Sequence, residues 1–181
     1  AVGDAGNQHI GFWLQILQGD AAVAGILVHP EFHGLDLVAG DFAQGLATVF
    51  GTAKERKERE WGVLAIWSFA AKCALEYLLT LPEIDGAKIG VTGHSRCGKA
   101  ALWAGVSDER FAWVMPNNSG CCGAALLRGK HGENMASINL MMGYWFAPAF
   151  GKFVGREQEL PFDQHTVLAL VAPRLLHVAS G

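Results

Sequence analysis

The stretch that decides the fold runs over residues 88–105 and reads KIGVTGHSRCGKAALWAG. Its first five residues are rich in β-branched side chains and predict a strand, whereas the alanines from Ala100 onward favour a helix. A short turn with glycines on both sides of Ser95 separates the two. Because a strand, a tight turn and a helix in this order make a βα unit, the stretch predicts an α/β protein.

Strand and helix patterns alternate on both sides of this unit. Upstream, residues 22–28 predict a buried strand and residues 61–80 a well-buried helix that ends before Pro82. The other predicted elements are strands over residues 110–115 and 175–179 and helices over residues 133–142 and 166–171. For the glycine-rich residues 31–51, a long irregular connection and a weak helix both stay open. The alternation predicts a mostly parallel sheet between two helical layers, a three-layer αβα sandwich.

Composition and charge exclude several classes of protein. The 181 residues include 14 Lys and Arg against 17 Asp and Glu, and the net charge of −3 gives no indication of a nucleic-acid partner. Apolar residues make up 51% of the chain but never form the uninterrupted run of about 18 that a membrane span needs. The first residues lack the order of a signal peptide, and the four cysteines lack a zinc-binding spacing and are interpreted as mostly buried thiols. The length fits one domain with a real hydrophobic core.

The turn after the predicted strand has the pattern of a nucleophile elbow. In such an elbow, glycines let the chain fold back so that a serine hydroxyl stands exposed between strand and helix, and Gly93-x-Ser95 fits this requirement. The second glycine comes one position late, at Gly98, because Cys97 occupies its usual place. Ser95 Oγ would attack an ester carbonyl, and the oxyanion would form near the start of the helix, where the helix dipole favours negative charge.

Two basic residues follow the serine. Arg96 would stand beside the oxyanion and stabilise its charge, or it is an ordinary surface arginine. Lys99, one helical turn after Ser95, would face the same site and hold a hydroxylated or acidic substrate, or it is solvated. The sequence leaves these alternatives open.

The same residues also come close to a phosphate-binding loop, since Gly93, Gly98 and Lys99 satisfy G-x-x-x-x-G-K. Such a loop continues with Ser or Thr, which holds Mg²⁺, and the next strand ends in an acid. Here Ala100 takes the first position, and the next predicted strand runs into Pro-Asn-Asn at residues 116–118. Because both metal-holding groups are missing, ATP or GTP binding is the weaker interpretation. A third interpretation is a tight βα turn with no catalytic or binding role.

Longer motifs surround the elbow. They are GHSRCGKAALWAG (residues 93–105), DERF (108–111), NSGCCGAAL (118–126), LPFDQH (160–165) and LALVAPR (168–174), with shorter ones at residues 132–133 and 145–146. In these motifs the chain resembles the bacterial glucuronoyl esterases of carbohydrate esterase family fifteen. The resemblance extends from about residue 61 to residue 181, whereas residues 1–60 match only loosely.

The resemblance implies an α/β-hydrolase fold and a serine carboxylic-ester hydrolase that needs no metal and no cofactor. The substrate class would be the ester between 4-O-methyl-glucuronic acid on xylan and the alcohols of lignin. Such a substrate implies a secreted or periplasmic protein, with neither nucleic acid nor membrane as partner. Ser95 would be the nucleophile and Arg96 the guanidinium at the oxyanion. Lys99 would contact sugar hydroxyls and Glu133 would touch the uronate, unless Glu133 is only a capping or surface residue.

Two departures from the family pattern concern the other members of a catalytic triad. Asn118 stands where the family often has the carboxylate, and an amide can orient a histidine but cannot stabilise the imidazolium by charge. Some members instead place the acid after the strand that matches residues 175–179. His165 is the tempting base, but in the family Asp163 and His165 look structural and the catalytic histidine lies further downstream.

These departures predict one partial α/β-hydrolase domain over residues 1–181, with residues 61–181 as the elbow core and residues 1–60 weakly assigned. We expect its general base to lie beyond Gly181, so that the isolated chain is sluggish or inactive. Acetylxylan or generic carboxylesterase activity is the near alternative. From other classes, the alternatives are the nucleotide-binding loop and an inactive remnant that binds glucuronoxylan fragments.

Overall fold

A five-stranded sheet with the order β1-β2-β3-β4-β5 forms the centre of the computed structural model, which describes residues 10–17, 23–30, 56–129 and 131–180. The strands are β1 (Ile10–Leu17), β2 (Val23–Pro30), β3 (Gly90–His94), β4 (Trp113–Asn117) and β5 (Leu175–Leu176). β1 pairs antiparallel with β2, and every later pair is parallel. The connection predicted over residues 31–51 lies outside the described residues.

The first strand, β1, was missed by the sequence prediction, which began at residue 22. Residues 10–17 read IGFWLQIL, which combines aromatic and aliphatic side chains with a glycine and a glutamine and has no regular alternation. They form a strand because they pair with β2 along its whole length, from Ile10 opposite Pro30 to Leu17 opposite Val23. The antiparallel edge strand is therefore decided by a partner and not by its own pattern.

The central strands begin two or three residues later than predicted. Lys88, the first residue of the predicted strand, ends a short 3₁₀ turn over residues 86–88, and Asp85 accepts a hydrogen bond from the Ala87 amide at 3.0 Å. β3 then starts at Gly90, where an added Cβ would lie 1.9 Å from the Trp113 ring. Because Trp113 of β4 covers Gly90, this contact sets where the two strands meet.

Two helices pack against each other and against the sheet. They are α1 (Val63–Leu78), inside the predicted 61–80, and α2 (Arg96–Ser107), which includes the predicted alanine-rich segment. Ser68 of α1 donates to the Ala100 carbonyl of α2 at 2.7 Å. The largest fully buried side chains include six on or next to α1 and the sheet: Ile66, Leu75, Ile89, Val91, Phe111 and Val114. Burying aliphatic and aromatic side chains stabilises a fold by about 1.5–3 kcal/mol each, so this core holds α1, α2 and the sheet together.

The chain between β4 and β5 contains two short helices whose starts are set by side-chain caps. α3 (Met135–Met142) begins two residues after the predicted start because Asn134 caps it, with Oδ1 accepting from the Ser137 amide at 3.0 Å. α4 (Gln164–Ala169) begins two residues before the predicted start because Asp163 caps it. Three 3₁₀ turns lie between them, at Gly143–Trp145, Pro148–Phe153 and Glu157–Glu159.

The last strand is shorter than the predicted 175–179, but its hydrogen bonds continue. The His177 amide donates to the Val114 carbonyl at 3.0 Å, and Ala179 accepts from the Asn118 amide at 2.8 Å. Arg174, just before β5, donates to the carbonyls of Gly105, Asp108 and Phe111 at 2.7–3.1 Å. These bonds tie the end of α2 and the start of β4 to β5.

The predicted class, an incomplete α/β-hydrolase-like domain with a mostly parallel sheet, is confirmed by this arrangement. The nucleophile turn joins β3 to α2 at the carboxyl end of the sheet, where α/β proteins place their ligands. Across the described segments, helices fall short of the length and apolar character that crossing a bilayer requires.

Candidate active site

Ser95 occupies a strained corner between β3 and α2. Its backbone has φ 55° and ψ −122°, a conformation that residues other than glycine rarely adopt. The Ser95 amide donates to the Asn117 carbonyl of β4 at 3.0 Å, and the residue is exposed. The strain and the exposure are what a nucleophile elbow requires, because the sharp corner holds the hydroxyl away from the sheet.

Both glycines of the turn are there because the chain folds back on itself. A Cβ on Gly93 would lie 2.3 Å from the Cys97 carbonyl oxygen, and a Cβ on Gly98 would lie 2.8 Å from the Asn117 carbonyl oxygen. Gly98 thus lets α2 approach β4, although it comes one position later than in the usual motif. The intervening Cys97 is buried, and burial, against a smaller effect of Arg96, raises the pKa of its thiol to about 12. Cys97 therefore stays protonated and does not compete with Ser95 as a nucleophile.

The start of α2 provides positive electrostatic potential at the corner. Ser95 is the residue immediately before this 12-residue helix, whose first amides have no acceptor within the helix. Arg96, the first helical residue, is half-buried next to the serine. An oxyanion formed at Ser95 would lie near the backbone N–H groups that begin α2, which stabilise negative charge. The role predicted for the Arg96 guanidinium at that oxyanion stays a prediction.

Lys99 and Glu133 come together one helical turn beyond Ser95. Lys99 is only 6% exposed, donates from Nζ to the Ser119 carbonyl, and lies 4.0 Å from Glu133 Oε2. The same Glu133 oxygen accepts from the Cys121 amide at 3.3 Å. Trp145 covers the ammonium group, with its ring centroid 6.0 Å from Nζ. Glu133 does not cap α3, because Asn134 does, and its half-exposed carboxylate faces the lysine.

Asn118 lies at the same edge of the sheet as Ser95. The register of β3 and β4 pairs His94 with Asn117, and their side chains approach to 3.2 Å between Asn117 Nδ2 and His94 Nδ1. Asn118 follows with a positive φ of 44° and is exposed. Its position next to the serine corner fits that of a residue that orients a histidine, and this role stays a prediction.

Asp163 has a structural role in this fold, and His165 lies two residues after it on α4. The buried Asp163 carboxylate accepts from the amides of Leu127, Gln164 and Arg128 at 2.7–3.2 Å. Burial on its own would raise the pKa of Asp163, but these N–H donors outweigh it and hold the pKa below its ordinary value. His165 is exposed on α4, and within the described residues no hydrogen bond joins it to Ser95 or to Asp163.

We expect Asp163→Asn to destabilise the fold by about 2–4 kcal/mol at neutral pH, because three buried amides lose an ionised acceptor. Since the folded-state pKa is lowered, the carboxylate contributes fully above the ordinary value of about 4 and loses its contribution as the pH falls through the folded-state pKa. Urea unfolding of both proteins at pH 7 and pH 3 measures this, and the stability gap should shrink at pH 3. An equal gap at both pH values would contradict it.

Several residues of the site were not identified from the sequence. Asn117 meets His94 only through the strand register, and the Ser119 carbonyl meets Lys99 only through the loop after β4. The adjacent cysteines 121 and 122 are visible in the sequence, which predicts mostly buried thiols and gives them no role in the site.

The phosphate-loop alternative finds no support in this geometry. The ammonium of Lys99 is bonded to the Ser119 carbonyl and lies 4.0 Å from the Glu133 carboxylate, whose negative charge would repel a phosphate. Ala100, at the position that holds Mg²⁺ in such a loop, is fully buried. Among the described residues, no group of three or more His, Cys, Asp or Glu side chains could hold a metal ion.

Comparison with known proteins shows which family the chain is similar to. A family model described as glucuronyl esterase, fungi, matches residues 52–181. The chain is 47% identical over 122 residues to the carbohydrate esterase MZ0003 of an unknown prokaryotic organism, covering 67% of the chain and 28% of that protein. It is 36% identical over 126 residues to the 4-O-methyl-glucuronoyl methylesterase of Hypocrea jecorina, covering 65% of the chain and 27% of that protein.

The chain is also similar in structure to a solved glucuronoyl esterase. The glucuronoyl esterase from Solibacter usitatus superposes with a TM-score of 0.66 at 44% identity, covering 70% of this chain and 32% of that structure. The chain thus spans roughly 30% of the length of the proteins it matches. Because the family model covers more than two thirds of the chain and includes the whole serine corner, the chain belongs to the glucuronyl esterase family.

Proposed function

We propose that the protein is a serine esterase that cleaves glucuronoyl esters. The observation that carries this proposal is Ser95, exposed at a positive-φ corner directly before the N-terminus of α2. The names of the relatives support the substrate class, since one is a 4-O-methyl-glucuronoyl methylesterase. Esters of this kind occur in plant cell walls, so the proposal includes a secreted or periplasmic location and a carbohydrate ester as the partner.

The reaction begins with attack of Ser95 Oγ on the ester carbonyl carbon. The carbonyl oxygen becomes an oxyanion near the first amides of α2 and the Arg96 guanidinium, which stabilise it. Collapse expels the alcohol and leaves a glucuronoyl group on Ser95, and water then releases the acid. A histidine takes the serine proton and passes it to the alcohol, and Asn118 is the candidate to orient that histidine. His165 is not assigned this role, because it bonds neither Ser95 nor Asp163 within the described residues.

The sugar ring would lie next to Lys99 and Glu133. Lys99 donates and Glu133 accepts, so the pair can bind neighbouring hydroxyl groups of a uronate from opposite sides. The carboxylate of Glu133 is half-exposed and is the part of the pair that a sugar can reach. The buried ammonium of Lys99 attracts this carboxylate and holds it in place. We therefore propose Lys99 and Glu133 as the substrate-binding residues and Ser95 and Arg96 as the catalytic ones.

The experiment compares two kinds of ester with the complete gene product. The methyl ester of 4-O-methyl-glucuronic acid and acetylated xylo-oligosaccharides are incubated with the protein, and the released acids are measured by chromatography. We expect kcat/KM for the uronate ester to exceed that for the acetyl ester by at least about tenfold. Preferential release of acetate would favour the acetylxylan alternative, and binding of glucuronoxylan without any product would favour the inactive remnant.

A further inference from the structure

Two neighbouring cysteines touch each other in the loop after β4. Cys121 Sγ and Cys122 Sγ are 3.7 Å apart, and neither thiol is in a disulfide. Cys121 is fully buried and Cys122 is half-buried, so the pair lies just under the surface.

The backbone is bent to bring these two side chains together. In an extended chain successive side chains point in opposite directions, which would separate the two sulfur atoms. Cys122 instead has φ 60°, in the left-handed region that favours glycine. The turn is closed by a hydrogen bond from the Gly123 amide to the Gly120 carbonyl at 3.0 Å. A side chain kept at a strained position is a reason to look for a function of that side chain.

The cysteine pair is connected directly to the proposed substrate-binding residues. The Cys121 amide donates to Glu133 Oε2 at 3.3 Å, and the same oxygen lies 4.0 Å from Lys99 Nζ. The charges of Lys99 and Glu133 also act on the Cys122 thiol. Any change in the backbone at Cys121 therefore reaches the carboxylate that we propose to hold the sugar.

The cysteine pair offers two sulfur atoms, and this number limits which ligands it can bind. Tetrahedral metal sites need more ligands than a cysteine pair supplies, and no third His, Cys, Asp or Glu side chain joins the pair within the described segments. A monosubstituted trivalent arsenical, R–As=O, is satisfied by two thiols. We propose that Cys121 and Cys122 form a dithiol site that captures ligands of this class.

The capture is a condensation in which no atom is oxidised or reduced. Each thiol sulfur forms one bond to arsenic, the As=O bond is lost, and the two thiol protons leave with that oxygen as one water molecule. The product is a ring that contains arsenic, both sulfurs and the backbone between the two residues.

Closing this ring would shift the backbone at Cys121 and withdraw its amide from Glu133. This consequence rests on the proposed function, because it predicts that capture weakens ester hydrolysis by displacing a substrate-binding carboxylate. The capture itself does not depend on that function.

The test treats the complete gene product with phenylarsine oxide and then with excess 2-mercaptoethanol, which removes arsenic from single thiols. Intact-mass measurement should show one phenylarsenic adduct that survives this wash and leaves after treatment with 1,2-ethanedithiol. Cys122→Gly should lose the stable adduct, and it should still fold because glycine favours the φ of this position. Cys73→Ser, which removes an exposed thiol far along the chain, is the matched control and should keep the adduct.

The outcomes separate the site from its effect on hydrolysis. The absence of a wash-resistant adduct, or its persistence in Cys122→Gly, overturns the dithiol site. With the adduct present, ester hydrolysis should fall at least tenfold and return after the dithiol wash, and unchanged hydrolysis would overturn the coupling to Glu133. If the untreated protein hydrolyses no ester, the proposed function fails, whereas the mass measurement still decides the site.

Discussion

Ser95→Ala is expected to lower kcat/KM for the glucuronoyl ester by about 10⁴-fold or more. The reason is that the attacking oxygen is removed, while the amides at the start of α2 and the residues around Lys99 remain able to bind the substrate. KM should therefore change much less than kcat. Initial-rate measurements with the complete gene product, over a range of ester concentrations, provide both constants.

Ser95→Gly serves as the matched control for the strained backbone. Glycine tolerates φ 55° better than serine or alanine does, so this variant should be more stable by up to about 1 kcal/mol and equally inactive. Its stability is measured by urea unfolding alongside the unmodified protein. Substantial hydrolysis in either variant would show that another group is the nucleophile.

Gly93→Ala is expected to damage both stability and activity. An alanine Cβ would lie 2.3 Å from the Cys97 carbonyl oxygen, and this atom belongs to the backbone and cannot rotate away. The turn would have to open, at a cost of about 2–4 kcal/mol in the free energy of unfolding. Opening the turn also moves Ser95 relative to α2, so we expect hydrolysis to fall at least about 100-fold even where the protein remains folded.

The control for this substitution is Gly151→Ala. At Gly151 the nearest atoms to an added Cβ belong to the Asn139 side chain at 3.7 Å, which is ordinary contact. We expect the free energy of unfolding of this variant to lie within about 0.5 kcal/mol of that of the unmodified protein, and its activity to be kept. If Gly93→Ala behaved like Gly151→Ala, the close approach at the turn would not be what holds Ser95 in place.

Sequence patterns predicted the parts of the fold that depend on neighbouring residues. The βα unit and α1 were recognised because β-branched runs, alanines and Pro82 act within a few residues. β1 was missed because its strand is made by pairing with β2. The start of β3 differs from the prediction because the contact between Gly90 and Trp113 sets it. Contacts across the sheet join residues that are distant along the chain, and no local pattern reports them.

The same distinction applies to the candidate site. The spacing of Gly93, Ser95 and Gly98 was enough to predict the serine corner, because close packing within six residues requires those glycines. The tertiary structure alone decided that Lys99 is buried with its ammonium on the Ser119 carbonyl and next to Glu133. Those partners arrive on the loop after β4, and their distances depend on how that loop packs against α2. Local sterics therefore determined the nucleophile turn, whereas long-range packing determined the charges and thiols around it.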